Sequence, residues 1–86
     1  MKHAGEEALD ALESVLAKVR KHEWLTERKR GVFYMKSRAF LHFHEDPAGI
    51  FADLRVGEHW TRFSVSTKSE QRVFLSKLAS IRGMRT

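Results

Sequence analysis

The chain has 86 residues, a formal net charge of +5, a pI near 10.0 and no cysteine. That length suits one domain with a modest core, and the missing cysteines exclude disulfides, thiolate metal sites and cysteine nucleophiles. No apolar run approaches the roughly 20 residues that span a bilayer, and Glu6, Glu7, Asp10 and Glu13 stand where a signal peptide needs an apolar core. The expectation is a cytoplasmic globular protein with no membrane association. The basic balance favours anionic partners, nucleic acid or an acidic protein surface, although solubility alone also accounts for a charge of this size.

Residues Glu6 to His22 predict the first helix. Leu9, Leu12, Leu16 and Val19 recur at helical spacing, with Ala8 and Val15 widening the stripe. Acidic residues fill its first turns and Lys18, Arg20, Lys21 and His22 its last, as the helix dipole prefers. Glu23 to Gly31 reads as a connection, in which Trp24 and Leu25 either extend the helix or tuck under a sheet. Arg28, Lys29 and Arg30 form a short basic run there, a candidate for phosphate contacts or simply a solvated loop. Val32 to Met35 predicts a first strand, followed by a turn over Lys36 to Arg38. Its register stays open. A two-residue loop at Ser37-Arg38 sends Val32 and Tyr34 inward, whereas a three-residue loop sends Phe33 and Met35 inward.

From Ala39 to Val65 the pattern is tighter. Strand side chains alternate with period 2. Ala39, Leu41 and Phe43 therefore share one face, as do Ile50, Ala52, Leu54 and Val56 in the next strand. A turn at Asp46-Pro47-Ala48-Gly49 places Leu41 opposite Leu54, His42 opposite Asp53 and Phe43 opposite Ala52. A Gly57-Glu58 turn of type II′ then pairs Val56 with His59, Leu54 with Thr61, Ala52 with Phe63 and Ile50 with Val65. Both turns give the same apolar face. Thr67-Lys68-Ser69-Glu70 fits a capping box, and Phe74, Leu75, Leu78 and Ile81 predict a last helix ending at Gly83. The expected fold is α+β: a two-layer sandwich of order α-β-β-β-β-α. An antiparallel four-stranded meander carries both helices on one face. Residues 1–86 form a single domain with ends frayed over 1–4 and 83–86.

These registers also define a second face. Phe40, Arg55 and Trp60 form one row across three strands; His42, Asp53 and Arg62 the next; His44, Phe51 and Ser64 a third. So apolar a face needs a purpose. Arg55 can stack on Trp60, and Asp53 can hold His42 and Arg62 across the strands. The face is covered by a helix or by residues 23–31, or it meets a protein partner, stacks nucleic-acid bases, or holds a small ligand. His42 and His44 have a spacing that can ligate a metal with Asp53 as third ligand, but a His–Asp pair is more often structural, and no metal or cofactor is assigned. His42 oriented by Asp53 resembles part of a triad, yet Ser64 falls beside His44 and no nucleophile elbow is present, so no catalytic residue is assigned.

Gly31 to Val56, GVFYMKSRAFLHFHEDPAGIFADLRV, resembles small bacterial proteins built on a strand, K-x-R-A-F, strand, E-D-P-A-G, strand core. More broadly, the helix, the strand pair around an aromatic, and Trp60 are similar to the MmcQ/YjbR-like group of small α+β proteins. The resemblance implies a bacterial cytoplasmic α+β protein without assigned catalytic residues. The functional expectation is a non-enzymatic association module, possible as a homodimer. It would use Phe40, His42, His44, Phe51, Asp53, Arg55, Trp60 and Arg62. The alternatives are nucleic-acid binding by this face with Arg28 to Arg30, and a small-ligand or metal site at His42, His44 and Asp53.

Overall fold

A computed structural model describes residues 2–84, with side chains as far as Ile81. The elements are β1 (Lys2–His3), α1 (Glu6–Ala11), α2 (Glu13–Val19), β2 (Thr26–Lys29), β3 (Val32–Met35), β4 (Arg38–Asp46), β5 (Gly49–Val56), β6 (His59–Ser64) and α3 (Lys68–Met84). The fold is α+β, with helices towards both ends of the chain and an antiparallel sheet ordered β2-β3-β4-β5-β6. It has more strands than the four expected. Thr26–Lys29, read as loop from its lack of apolar residues, is an edge strand paired with β3. Lys2 and His3, expected to fray, pair with Glu45 and His44 on the free part of the β4 edge. Of the other frayed positions, Gly83 and Met84 continue α3, while residues 1, 85 and 86 lie outside the described residues.

The predicted first helix is two short helices hinged at Leu12, whose backbone (φ −99°, ψ 9°) leaves the helical region. The apolar stripe survives the hinge, because Leu12 N–H still reaches Ala8 O and Leu16 N–H still reaches Leu12 O. Leu9, Leu12, Val15, Leu16 and Val19 are all buried. At the other end, Thr67 and Glu70 form the capping box: Glu70 N–H donates to Thr67 Oγ1 (3.2 Å) and Thr67 N–H to Glu70 Oε1 (3.0 Å). The same carboxylate oxygen accepts from Ser66 N–H and Ser64 Oγ, which locks α3 to the end of β6. Phe74 then meets Phe43 and Phe63 edge-on, at centroid distances of 5.9 and 5.8 Å. The helices and the inner sheet face thus share one core that includes Leu41, Phe43, Ala52, Leu54, Val65, Phe74 and Leu78.

The β4–β5–β6 register is the expected one. Leu41 faces Leu54, His42 faces Asp53, Phe43 faces Ala52, and Arg55 faces Trp60. At the first turn Asp46 Oδ1 accepts from Ala48 N–H at 2.8 Å. At the second, Gly57 alone of the turn pair has positive φ (63°), the signature of type II′.

In the β3–β4 hairpin the inward residues are those of the second alternative, Phe33 and Met35, but the turn that sets them is neither of the two considered. The loop is Lys36-Ser37, with φ of 52° and 76° and Met35 paired with Arg38. Two left-handed residues make a type I′ turn, a conformation usually taken by Asn-Gly, so Lys-Ser gives no sequence signal for it. Further along, Phe33 pairs with Leu41 but Tyr34 pairs with Ala39, so β4 carries one extra residue, Phe40. This is a β-bulge. Paired residues share a face, so Ala39 goes with Tyr34 and leaves the inner face it was assigned. Phe40 turns inward beside Leu41. It is 2% exposed, edge-on to Trp24 at 5.4 Å. Its assignment to the outer row is therefore corrected, and Phe33 and Met35 are the inward residues of β3.

Candidate functional site

The outer sheet face is built by β4, β5 and β6 with β1 laid along the β4 edge. Its alternation follows from strand geometry, and its contents follow from the sequence: His42 and His44 from β4, Phe51, Asp53 and Arg55 from β5, Trp60, Arg62 and Ser64 from β6. The helices pack on the opposite face. Trp60 keeps 43% of its surface exposed, while Phe51 is half-buried. Of the nominated aromatics, Phe51 and Trp60 belong to this face and Phe40 does not.

Asp53 is its electrostatic centre. Arg62 forks onto it, Nε to Oδ1 at 2.7 Å and Nη2 to Oδ2 at 2.9 Å. That charge-assisted pair holds the Asp53 carboxyl below its ordinary value and raises Arg62 above its own. His44 Nδ1 lies 3.7 Å from Asp53 Oδ2, close in charge terms but too far for a hydrogen bond. Burial is the leading reason that both His42 and His44 bind protons less readily than free histidine; repulsion from His3 adds to it in both, and from His44 in His42, while the Asp53 carboxylate partly opposes it. Arg55 donates from Nε to Ala39 O at 2.9 Å, next to the bulge, and its guanidinium carbon sits 4.6 Å from the Trp60 ring centroid. The stack expected between Arg55 and Trp60 is thus formed, without Phe40.

A histidine that sequence reasoning missed joins this face. His3 pairs with His44 across β1–β4. Its ring centroid is 4.9 Å from that of His44 and 5.6 Å from that of His42, and the His42 ring lies 5.3 Å from Trp60. No periodicity in a two-residue strand announces it; Gly5 N–H donating to the Glu45 carboxylate and Ala4 N–H to Phe43 O help to tie the segment down.

The basic run sits elsewhere and is mostly engaged within the chain. Arg30 bonds Glu6, Asp10 and Glu13 of the acidic first helices. Arg28 stacks on Tyr34 at 4.3 Å, while Lys29 is exposed on the edge strand. Arg20 likewise bridges Glu13 and Glu27. Arg20 and Arg30 thus spend their charge on Glu6, Asp10, Glu13 and Glu27 within the chain. Ser64, considered as a nucleophile, donates its hydroxyl to Glu70 at 2.9 Å and belongs to the α3 cap. Among the described residues no helix is long and apolar enough to cross a membrane. The chain matches no family model, no curated protein and no solved structure.

Proposed function

We propose that this is a non-enzymatic, cytoplasmic association module that works through the outer face around Trp60, and that its partner is a second copy of the chain. The observation that carries the reading is Trp60 itself: 43% exposed and stacked with Arg55, on a face that also carries half-buried Phe51 beyond the Asp53–Arg62 row and that lies opposite the helices. Trp, Phe and Arg are the residues that anchor protein interfaces. Charge favours a copy of the same chain. The molecule is basic overall, yet on this face Asp53 neutralises Arg62 and burial keeps His42 and His44 towards their neutral forms. Two such faces meet without strong repulsion, as an isologous interface requires. With extents of 37 × 25 × 23 Å, a side of the molecule spans roughly 600–900 Å², comparable to the ~800 Å² that each partner gives a stable complex.

Sedimentation equilibrium over a wide concentration range tests this. A monomer–dimer equilibrium is expected, and Trp60→Ala should abolish it while leaving the urea midpoint nearly unchanged at a concentration where the parent is monomeric. A monomer at the highest soluble concentration would defeat the proposal. Nucleic-acid binding is the second reading, favoured by the net charge and the Arg55–Trp60 platform. It predicts binding to single-stranded RNA or DNA that weakens steeply with salt. No binding at low salt removes it. The engagement of Arg30, Arg28 and Arg62 within the chain leaves it fewer free cations than the sequence suggests.

A further inference from the structure

We propose that His3, His42 and His44 form a binding site for a divalent transition-metal ion of the imidazole-preferring class, zinc foremost. The three rings converge: one ring nitrogen from each lies within 4.8 Å of those of the other two. The placement follows from simple geometry. His42 and His44 are two residues apart on β4 and so point to one side. His3 pairs directly with His44, so it joins them on that side.

A second observation points to a missing ligand. His42 Nε2 and His44 Nε2 are both buried and have no hydrogen-bond partner among the described residues. Buried polar atoms in folded proteins are nearly always satisfied, and two orphans in one cluster call for an explanation. A metal ion supplies it, because neutral imidazole nitrogen is a lone-pair donor. A carboxylate near the second ring nitrogen is the usual support of a metal-bound histidine, and for His44 one lies within a small shift of hydrogen-bond reach. Asp53 Oδ2 stands 3.7 Å from His44 Nδ1, and Asp53 is itself held by the Arg62 fork.

The donor set selects the ion. Three imidazoles without an oxygen cage suit zinc, cobalt, nickel or copper, and do not suit calcium or magnesium. A tetrahedral zinc with bonds of about 2.0–2.1 Å sets its nitrogens about 3.3 Å apart, so the widest pair closes by up to about 1.5 Å. The adjustable partner is His3, exposed on a strand of two residues. Binding would staple β1 to the sheet and leave a fourth position for water or another ligand.

The site lies within one chain and does not depend on the association proposed above. The test uses chelator-stripped protein at a concentration where sedimentation shows a single species, so that coordination and self-association are read separately. Zinc is added at neutral pH. Calorimetry should give one ion per chain, and side-chain nitrogen NMR should shift the rings of His3, His42 and His44 while leaving His59 in place. Cobalt in the same protein should develop the visible absorption of a four-coordinate site. His3→Gln should weaken zinc binding at least tenfold, and because His3 is exposed this variant should keep the fold. His42→Gln and His44→Gln should do the same or more. The proposal is overturned if the His42 and His44 rings do not move, if all histidines shift alike, or if His3→Gln binds zinc as the parent does.

Discussion

Replacing Phe40 tests the largest departure of the structure from the linear pattern. By alternation alone Phe40 is an outer-face residue, and Phe40→Ala would then cost no more than the few tenths of a kcal/mol usual for surface sites. The bulge puts it in the core at 2% exposure, against Trp24. Truncating a buried Phe to Ala removes its transfer energy and leaves a cavity, together about 3–5 kcal/mol. The whole domain holds on the order of 4–13 kcal/mol at ~0.05–0.15 kcal/mol per residue, so the variant should sit near the edge of folding. Phe40→Leu keeps most of the apolar volume and should lose clearly less. Equilibrium urea unfolding followed by far-UV circular dichroism measures both, with Trp60→Ala, already exposed, as the neutral comparison. A Phe40→Ala loss under about 1 kcal/mol would refute the bulge and restore Phe40 to the outer surface.

Gly31 and Gly57 share positive φ, 80° and 63°, but not surroundings: a Cβ on Gly31 would lie 2.7 Å from Leu9 Cδ2, whereas one on Gly57 meets nothing within 4 Å among the described residues. Left-handed backbone costs a non-glycine residue about 1–2 kcal/mol and core crowding about 1–3 more, partly offset by ~0.4–1 from the stiffer unfolded chain. In the same urea assay Gly31→Ala should lose about 2–4 kcal/mol and Gly57→Ala about 1; equal losses would show that Leu9 does not press on the turn. The Glu70 carboxylate is held below its ordinary value chiefly by Thr67 N–H, then by Ser64. A lowered folded pKa means that the unfolded chain takes up the proton first. The contribution is full above about pH 4.3, the unfolded Glu value, and is lost as pH falls further. Glu70→Gln should therefore flatten the decline in thermal midpoint below pH 4.3, and an unchanged decline would exclude this cap from the acid sensitivity. Thr67→Ala, which removes the other half of the box, should cost about 1 kcal/mol at neutral pH.

The meander was legible because its information is local. Period-2 alternation in Leu41–Phe43 and Ile50–Val56, with Pro47 and Gly57 in the turns, leaves few registers that bury one apolar face, and the observed pairing is that one. The capping box is equally local, three residues from donor to acceptor. The outer site was half legible for the same reason. His42, Asp53 and Arg62 fall in one row by alternation, and the Asp53–Arg62 pair forms there.

What the sequence by itself determined is the α+β class, the inner face from Leu41 of β4 through β5 and β6, and the chemistry of most of the opposite face. Tertiary structure decided three things that depend on contacts between distant segments. Phe40 turns inward because β3 and β4 bulge where Trp24 can cover it, a choice made by packing and invisible to a period-2 count. Thr26–Lys29 becomes a strand although it has no apolar pattern, because β3 offers it an unpaired backbone edge and edge strands tolerate charge. His3 reaches His42 and His44 because the backbone of Lys2 and His3 fills the rest of the β4 edge, some 40 residues away in sequence. Side-chain patterns encode faces, but free backbone hydrogen bonds decide which segments complete the sheet, and here they bring the third histidine to the site.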